Sequence, residues 1–99
     1  MKDSLYYYDP NHGGCLRVMN QLDDKTYIIN GAYGSDEGKN GYWAAIATKT
    51  NKTIDGKKYN LEVNFSMKKI ITHKSIYYAY MKNRKIHWCD GNTWEQMYA

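Results

Sequence analysis

The sequence predicts an all-β fold, a single antiparallel up-and-down meander of about six to eight short strands in a strongly curved sheet or small barrel. Three observations favour it: apolar residues alternate with polar ones, short polar segments separate the apolar runs, and 11 tyrosines and three tryptophans accompany one phenylalanine. Tyrosine and tryptophan combine an apolar body with a polar tip and therefore suit half-buried sheet faces. The 99 residues suit a single β domain spanning 1–99.

The clearest strand runs from Tyr59 to Met67, where five apolar residues alternate with four polar ones. Strict alternation turns one face of a strand toward a core and the other toward water. Residues 42–49 and 75–81 are apolar on both faces, which indicates central or well-covered strands. Further strands are predicted over residues 15–22, 26–33, 86–89 and 93–98. In the first of these, Leu16, Val18 and Leu22 share one face, and Cys15, Arg17 and Met19 share the other.

Short polar segments between these runs are predicted as turns and loops. Asp90-Gly91 is a strong hairpin signal because glycine tolerates a positive φ. Connections this short join neighbouring antiparallel strands, since a parallel crossover needs a dozen or more residues. The predicted turns and loops cover residues 23–25, 34–41, 51–56, 82–84 and 90–92.

The net charge of +4 is unevenly distributed along the chain. Residues 42–85 contain ten basic and two acidic residues, whereas residues 1–41 contain four basic and six acidic ones. The excess is typical of a protein with an anionic partner, but lysines also protect sheet edges and keep a protein soluble, and the sequence favours that second explanation. If the partner is nucleic acid, tyrosines would stack on bases. Its phosphates would then contact Lys57, Lys58, Lys68, Lys69, Lys74, Lys82, Arg84 and Lys85.

Four residues are candidates for catalysis or for a small-ligand site. Cys15 follows His12 by three residues, and a thiol with a neighbouring imidazole can act as a nucleophile with its base. Asp36 and Glu37, in the predicted loop, could supply an acid. No third orienting group is identifiable, so an enzyme ranks behind a binding module.

A zinc site is an alternative use of the cysteines. If the first and sixth predicted strands met, His12, Cys15, His87 and Cys89 would provide two thiolates and two imidazoles, a tetrahedral ligand set. A disulfide between the cysteines competes with this arrangement. Without an export signal, reduced thiols and an intracellular, non-secreted protein are expected, and no apolar run reaches membrane-spanning length. We therefore expect no cofactor and no membrane partner.

The segment near the end of the sequence places Trp88 and Trp94 on either side of Asp90-Gly91-Asn92. The interpretation that the sequence favours is structural: the tryptophans clamp the final hairpin onto the sheet, while Asp90 and Asn92 bond turn amides. The alternative is that the two indole rings form an aromatic surface that binds a ligand. That ligand-binding set would comprise Arg17, Trp88, Asp90, Asn92 and Trp94.

Four segments resemble a known family: YYDPNHGGCLR at residues 7–17, GAYGSDE at residues 31–37, Val63–Ser66 followed by His73, and IHWCDGNTWEQM at residues 86–97. The family comprises small, uncharacterised β-domain proteins of algae, other protists and large DNA viruses. The resemblance implies an all-β fold but no activity, cofactor or partner. An acidic or small polar residue is expected at position 89, so Cys89 departs from the pattern and weakens the zinc and disulfide interpretations.

The leading functional prediction is a non-enzymatic binding or structural module that acts through protein contacts or self-association. With the resemblance, it would be a component of a virion or virus factory in the host cytoplasm. Nucleic-acid binding by the basic segment is the alternative, and an enzyme or small-ligand site is the third class.

Overall fold

A computed structural model describes residues 4–11, 16–32, 42–66 and 75–97. Within them each strand pairs antiparallel with the next, and the last pairs with the first, which closes an up-and-down barrel. The all-β meander predicted from the sequence is confirmed, in its closed form. The strands are β1 (Leu5–Tyr8), β2 (Leu16–Gln21), β3 (Thr26–Ala32), β4 (Tyr42–Ile54), β5 (Lys57–Asn64), β6 (Ile76–Lys82), β7 (Lys85–Trp88) and β8 (Thr93–Met97).

Alternate side chains of every strand fill the inside of the barrel. On β5, the alternation predicted from the sequence is confirmed where it can be followed: Leu61 and Val63 are fully buried, whereas Asn64 is exposed. A small barrel of this kind is packed by its own side chains because its interior is narrow. Side chains with no exposed surface are Met19, Ile29, Ala45, Ala47, Leu61, Val63, Ala79 and Ile86.

Aromatic rings extend this core across neighbouring strands. The ring of Phe65 meets those of Trp43, Tyr77 and Trp88 at centroid distances of 5.6, 5.5 and 5.6 Å. Trp88 in turn lies 4.7 Å from Trp94. Such pairs contribute about 0.5–1.5 kcal/mol each beyond the area that they bury. They join β4, β6, β7 and β8 through side chains as well as through the backbone.

In two of the hairpins, a two-residue turn connects the strands. Asp55 and Gly56 have φ angles of 51° and 80°, and Asn83 and Arg84 have φ angles of 55° and 65°. Positive φ at both central residues is the mark of a type I′ turn, whose twist matches that of the flanking strands. The predicted turn at residues 82–84 is confirmed.

The predicted turn over residues 51–56 is wrong over most of its length. Strand β4 continues to Ile54 through an irregularity in register between Lys49 and Lys52, and only Asp55 and Gly56 turn the chain. This part of β4 is largely exposed, so it is held by its backbone ladder with β5 and carries no apolar alternation for the sequence to reveal.

Other predictions from the sequence also differ from the structure. Strand β4 is paired on both sides, like every strand of the closed barrel, but only its inner face is buried, and Tyr42 is 86% exposed on the outside. Strand β7 ends at Trp88, so Cys89 lies in the following turn and not in the predicted strand. Strand β1 was not predicted. The predicted loop at residues 34–41 and the final residues of three predicted strands, Tyr33, Met67 and Tyr98, lie outside the described residues.

Candidate binding cleft

Arg17, a predicted ligand-binding residue, lies inside the barrel. Its side chain and that of Asp9 are each 1% exposed, and its Nη2 lies 3.3 Å from the Asp9 carboxylate. The guanidinium stands 5.1 Å from the ring centroid of Trp43 and 5.6 Å from that of Trp94. A buried arginine needs an anion and hydrogen-bond acceptors, and it gains further from aromatic faces. This placement gives Arg17 an internal structural role.

Other predicted ligand-binding residues support the same structure. Asn92 donates an amide hydrogen bond of 3.1 Å to Asp9 Oδ1, so it joins the Arg17 ion pair from the β7–β8 turn. Asp90 accepts the Asn92 backbone N–H at 3.0 Å, and Asn92 Oδ1 accepts the Thr93 N–H at 2.8 Å. The predicted turn bonds are confirmed. Trp88 and Trp94 are buried against each other, as the clamp interpretation of the pair expects.

Sequence reasoning missed Asp9, Gly31 and Trp43 as partners of Arg17. A Cβ on Gly31 would overlap the indole of Trp43, so glycine lets that ring approach the β3 backbone. The sequence carried one partial signal: its period of two puts Arg17 on the same face as Met19, and an arginine on a face that points inward requires an acidic partner nearby. Asp9, eight residues earlier, is that partner.

The strand pairing on which the predicted zinc site depends is absent. Strand β2 pairs with β1 and β3, and β7 pairs with β6 and β8, so the first and sixth predicted strands do not meet. His87 is exposed and Cys89 is a partly exposed free thiol. In the part of the chain that the structure describes, no three His, Cys, Asp or Glu side chains cluster to hold a metal. His12, Cys15, Asp36 and Glu37 lie outside the described residues.

An open cleft forms on the outside of the barrel where β5 diverges from β6. The two strands pair from Asn64↔Ile76 to Leu61↔Ala79. Beyond that point the Asn60 side chain replaces the backbone ladder: it accepts the Met81 N–H at 2.7 Å and donates to the Met81 carbonyl at 2.9 Å. This amide bridge holds the strands together while the first residues of β5 diverge from β6.

We call this feature the basic cleft. It has a volume of about 630 Å³ and is lined by residues 57–59, Tyr80 and residues 87–91. Lys57 and Lys58 are exposed, and among the described residues neither forms an ion pair. Tyr80 and His87 are cross-strand partners on the outer face of β6 and β7. The acidic residue in the lining is Asp90.

Beside the cleft lies a polar cluster that consists of Lys52, Glu62 and Tyr78. Tyr78 lies 6.0 Å from Tyr59, centroid to centroid, and its hydroxyl accepts a hydrogen bond of 3.1 Å from Lys52 Nζ. Lys52 also lies 3.4 Å from Glu62. The hydrogen bond to Tyr78, with Glu62 beside it, raises the pKa of Lys52 above its usual value.

The predicted nucleic-acid residues fall into three groups. Lys57 and Lys58 line the cleft, and Lys82, Arg84 and Lys85 surround the turn at the end of β6. Lys68, Lys69 and Lys74 lie outside the described residues. Two of the groups therefore share the outer surface formed by β5, β6 and β7. The exposed Lys82 and Lys85 face each other across the hairpin.

The opposite side of the barrel is apolar on its outer surface. Tyr6 and Tyr8 on β1 pair with Val18 and Leu16 on β2, and Tyr6, Tyr8 and Leu16 are 37%, 44% and 45% exposed. This face differs in chemistry from the basic cleft.

Comparisons with protein-family models, with curated proteins and with solved structures found no match. In the described residues there is no helix of the length and apolarity needed to cross a membrane.

Proposed function

We propose that this protein is a non-enzymatic binding module that takes an anionic ligand in the basic cleft. The observation that carries the proposal is the pair Lys57 and Lys58, two exposed ammonium groups without ion-pair partners among the described residues, at the wall of a cleft of about 630 Å³. Clefts of a few hundred cubic ångströms with a few convergent polar groups are the usual form of a ligand site.

The surroundings of the cleft add positive charge. The β4–β5 hairpin and the segment from β6 to the β7–β8 turn hold seven basic and three acidic side chains within described residues 48–66 and 75–90. Such an excess attracts anions and accelerates their association. The basic residues are Lys49, Lys52, Lys57, Lys58, Lys82, Arg84 and Lys85, and the acidic ones are Asp55, Glu62 and Asp90.

The interior of the barrel is a weaker candidate site. Its side chains occupy the space that larger barrels leave for a ligand, and Arg17 is neutralised there by Asp9. The outer surface is therefore the better place for a ligand to bind.

A polyanion without bases tests this proposal. We expect polyphosphate of about 20 units to bind at about 50 mM salt and to weaken steeply toward about 200 mM, because bound phosphates release counterions. In isothermal titration calorimetry, Lys57→Ala/Lys58→Ala should lower the affinity roughly tenfold and reduce the salt dependence. Lys25→Ala, an exposed lysine in the β2–β3 turn, is the matched control. No binding at low salt, or equal binding by the double variant, would contradict the proposal.

Protein contacts or self-association, and a place in a virion or virus factory, stay predictions. The feature that favours contacts is the exposed apolar group Tyr6, Tyr8 and Leu16 on β1 and β2. It lies on a different face from the basic cleft, so the two modes of binding are compatible.

A further inference from the structure

We infer that the anionic ligand is a single strand of nucleic acid, with phosphates on Lys57 and Lys58 and bases stacked on Tyr59 and Tyr80. This inference rests on the proposed function, because it requires the cleft to bind an anion. It adds that the aromatic lining of the cleft contributes binding energy that charge alone does not provide.

The positions of two tyrosine rings in the cleft favour stacking. Tyr59 and Tyr80 line the cleft with the two lysines, and both are partly exposed. Tyr59 is fixed from the side by Tyr78, at a centroid distance of 6.0 Å and an interplanar angle of 40°. Rings that are held in place lose little entropy when a base stacks on them, and any base offers a π face.

Aromatic and basic residues follow one another along β6 and β7. Tyr80 pairs with His87, and two residues further along the same strands Lys82 pairs with Lys85. Since side chains two apart share a face about 7 Å apart, an aromatic pair is followed by a basic pair on the outer surface. Alternating aromatic and basic positions match a chain in which bases and phosphates alternate.

Acidic residues near the cleft favour a single strand of nucleic acid over a duplex. Asp90 in the cleft and Glu95, opposite Lys85, reduce the local positive charge, so phosphate contacts alone give weak binding. A duplex hides its bases from the tyrosines and offers only its phosphates. A single strand gains both contacts, and the cleft volume of about 630 Å³ suits about one or two nucleotides.

Three fluorescent probes of equal length test the inference by anisotropy: oligothymidylate, an abasic oligodeoxynucleotide and a DNA duplex. We expect oligothymidylate to bind at least about tenfold more tightly than the abasic strand. Tyr80→Leu should remove most of that difference, whereas Tyr80→Phe should retain it. Tyr42→Leu, at an exposed tyrosine away from the cleft, is the control.

The outcomes separate the two proposals. Equal affinity for oligothymidylate and the abasic strand would overturn the stacking inference while the anion-binding function stands. Tighter binding of the duplex would also overturn it. Failure of all three probes and of polyphosphate would overturn the proposed function itself. Circular dichroism of each variant would establish that a loss of binding does not reflect unfolding, and Tyr59→Leu gives an independent test if Tyr80→Leu fails to fold.

Discussion

At the scale of single residues, the most unusual feature is a charged pair inside a small barrel. Removing a guanidinium and a carboxylate from water costs several kcal/mol each, so the buried pair needs compensating hydrogen bonds and close contacts. Asp9 accepts from Arg17, from the Asn11 N–H and from the Asn92 amide, and two indole rings flank the guanidinium. These contacts connect the segment after β1 with β2, β4 and the β7–β8 turn.

Removing one member of this pair should therefore be far more harmful than removing both. We expect Arg17→Met to lower the free energy of unfolding by about 3–5 kcal/mol, because it leaves the Asp9 carboxylate buried without its cation. The double variant Asp9→Asn/Arg17→Met should regain much of that loss, since an Asn side chain can keep the neutral hydrogen bonds. Urea unfolding followed by tryptophan fluorescence gives both values. If the double variant lost as much free energy of unfolding as Asp9→Asn and Arg17→Met lose together, the ion-pair explanation would be contradicted.

Part of this arrangement was readable in the sequence. The period of two placed Arg17 on the same face as Met19, but it could not say whether that face or the face of Leu16 and Val18 points inward. The apolar face turned outward, and Leu16 is 45% exposed. The choice depends on Asp9 and Trp43, which are distant along the chain or belong to another strand, so no local pattern encodes it.

At the scale of strands, Gly31 sets how closely β3 approaches its neighbour. Gly31 pairs with Trp43 on β4 and with Arg17 on β2. A Cβ at this position would overlap Trp43 and lie 3.0 Å from Arg17 Cδ. The strand therefore carries a glycine where its backbone faces the indole.

Gly31→Ala should destabilise the barrel by about 1–3 kcal/mol, because the added methyl forces the indole and the guanidinium to shift. Asn30→Ala, at the exposed neighbouring position on β3, should change stability by less than about 0.5 kcal/mol. Adding Trp43→Phe to Gly31→Ala makes room for the methyl, so the losses should be less than additive in chemical denaturation. Strict additivity would show that steric overlap is not the cause.

Strands with alternating apolar residues, or with apolar residues on both faces, were predicted correctly, whereas β1 and the tail of β4 were missed. Leu61 and Val63 alternate with polar residues because one face of β5 is buried. Strand β1, with the sequence LYYY, has no alternation, and the tail of β4 is polar and largely exposed. Their strand conformation comes from backbone pairing with neighbours, which periodicity does not report. The basic cleft was likewise unpredictable, since it arises where Asn60 interrupts the β5–β6 ladder.

At the scale of the whole molecule, closure of the barrel depends on β1, which pairs with β2 on one side and with the last strand, β8, on the other. Tyr6 is opposite Val18 on β2 and Met97 on β8. The sequence predicted a curved sheet or a barrel without deciding between them, because closure requires a pairing between residues about ninety positions apart. Without that pairing, β1 and β8 would be edge strands with unpaired backbone groups.

Tyr6→Pro tests whether the barrel is one cooperative unit closed by β1. Proline removes a backbone donor from a strand that is paired on both sides, so we expect a loss of at least about 2 kcal/mol in the free energy of unfolding. Tyr6→Thr keeps the donor and the β propensity, and it serves as the control. Tryptophan fluorescence, which reports on β4, β7 and β8, and far-UV circular dichroism should shift together to lower urea, as in a two-state transition. If β1 were dispensable, the unfolding curves of the proline and threonine variants would superimpose. The pairing of β1 with β8 would then contribute nothing to the stability of the strands that carry the tryptophans.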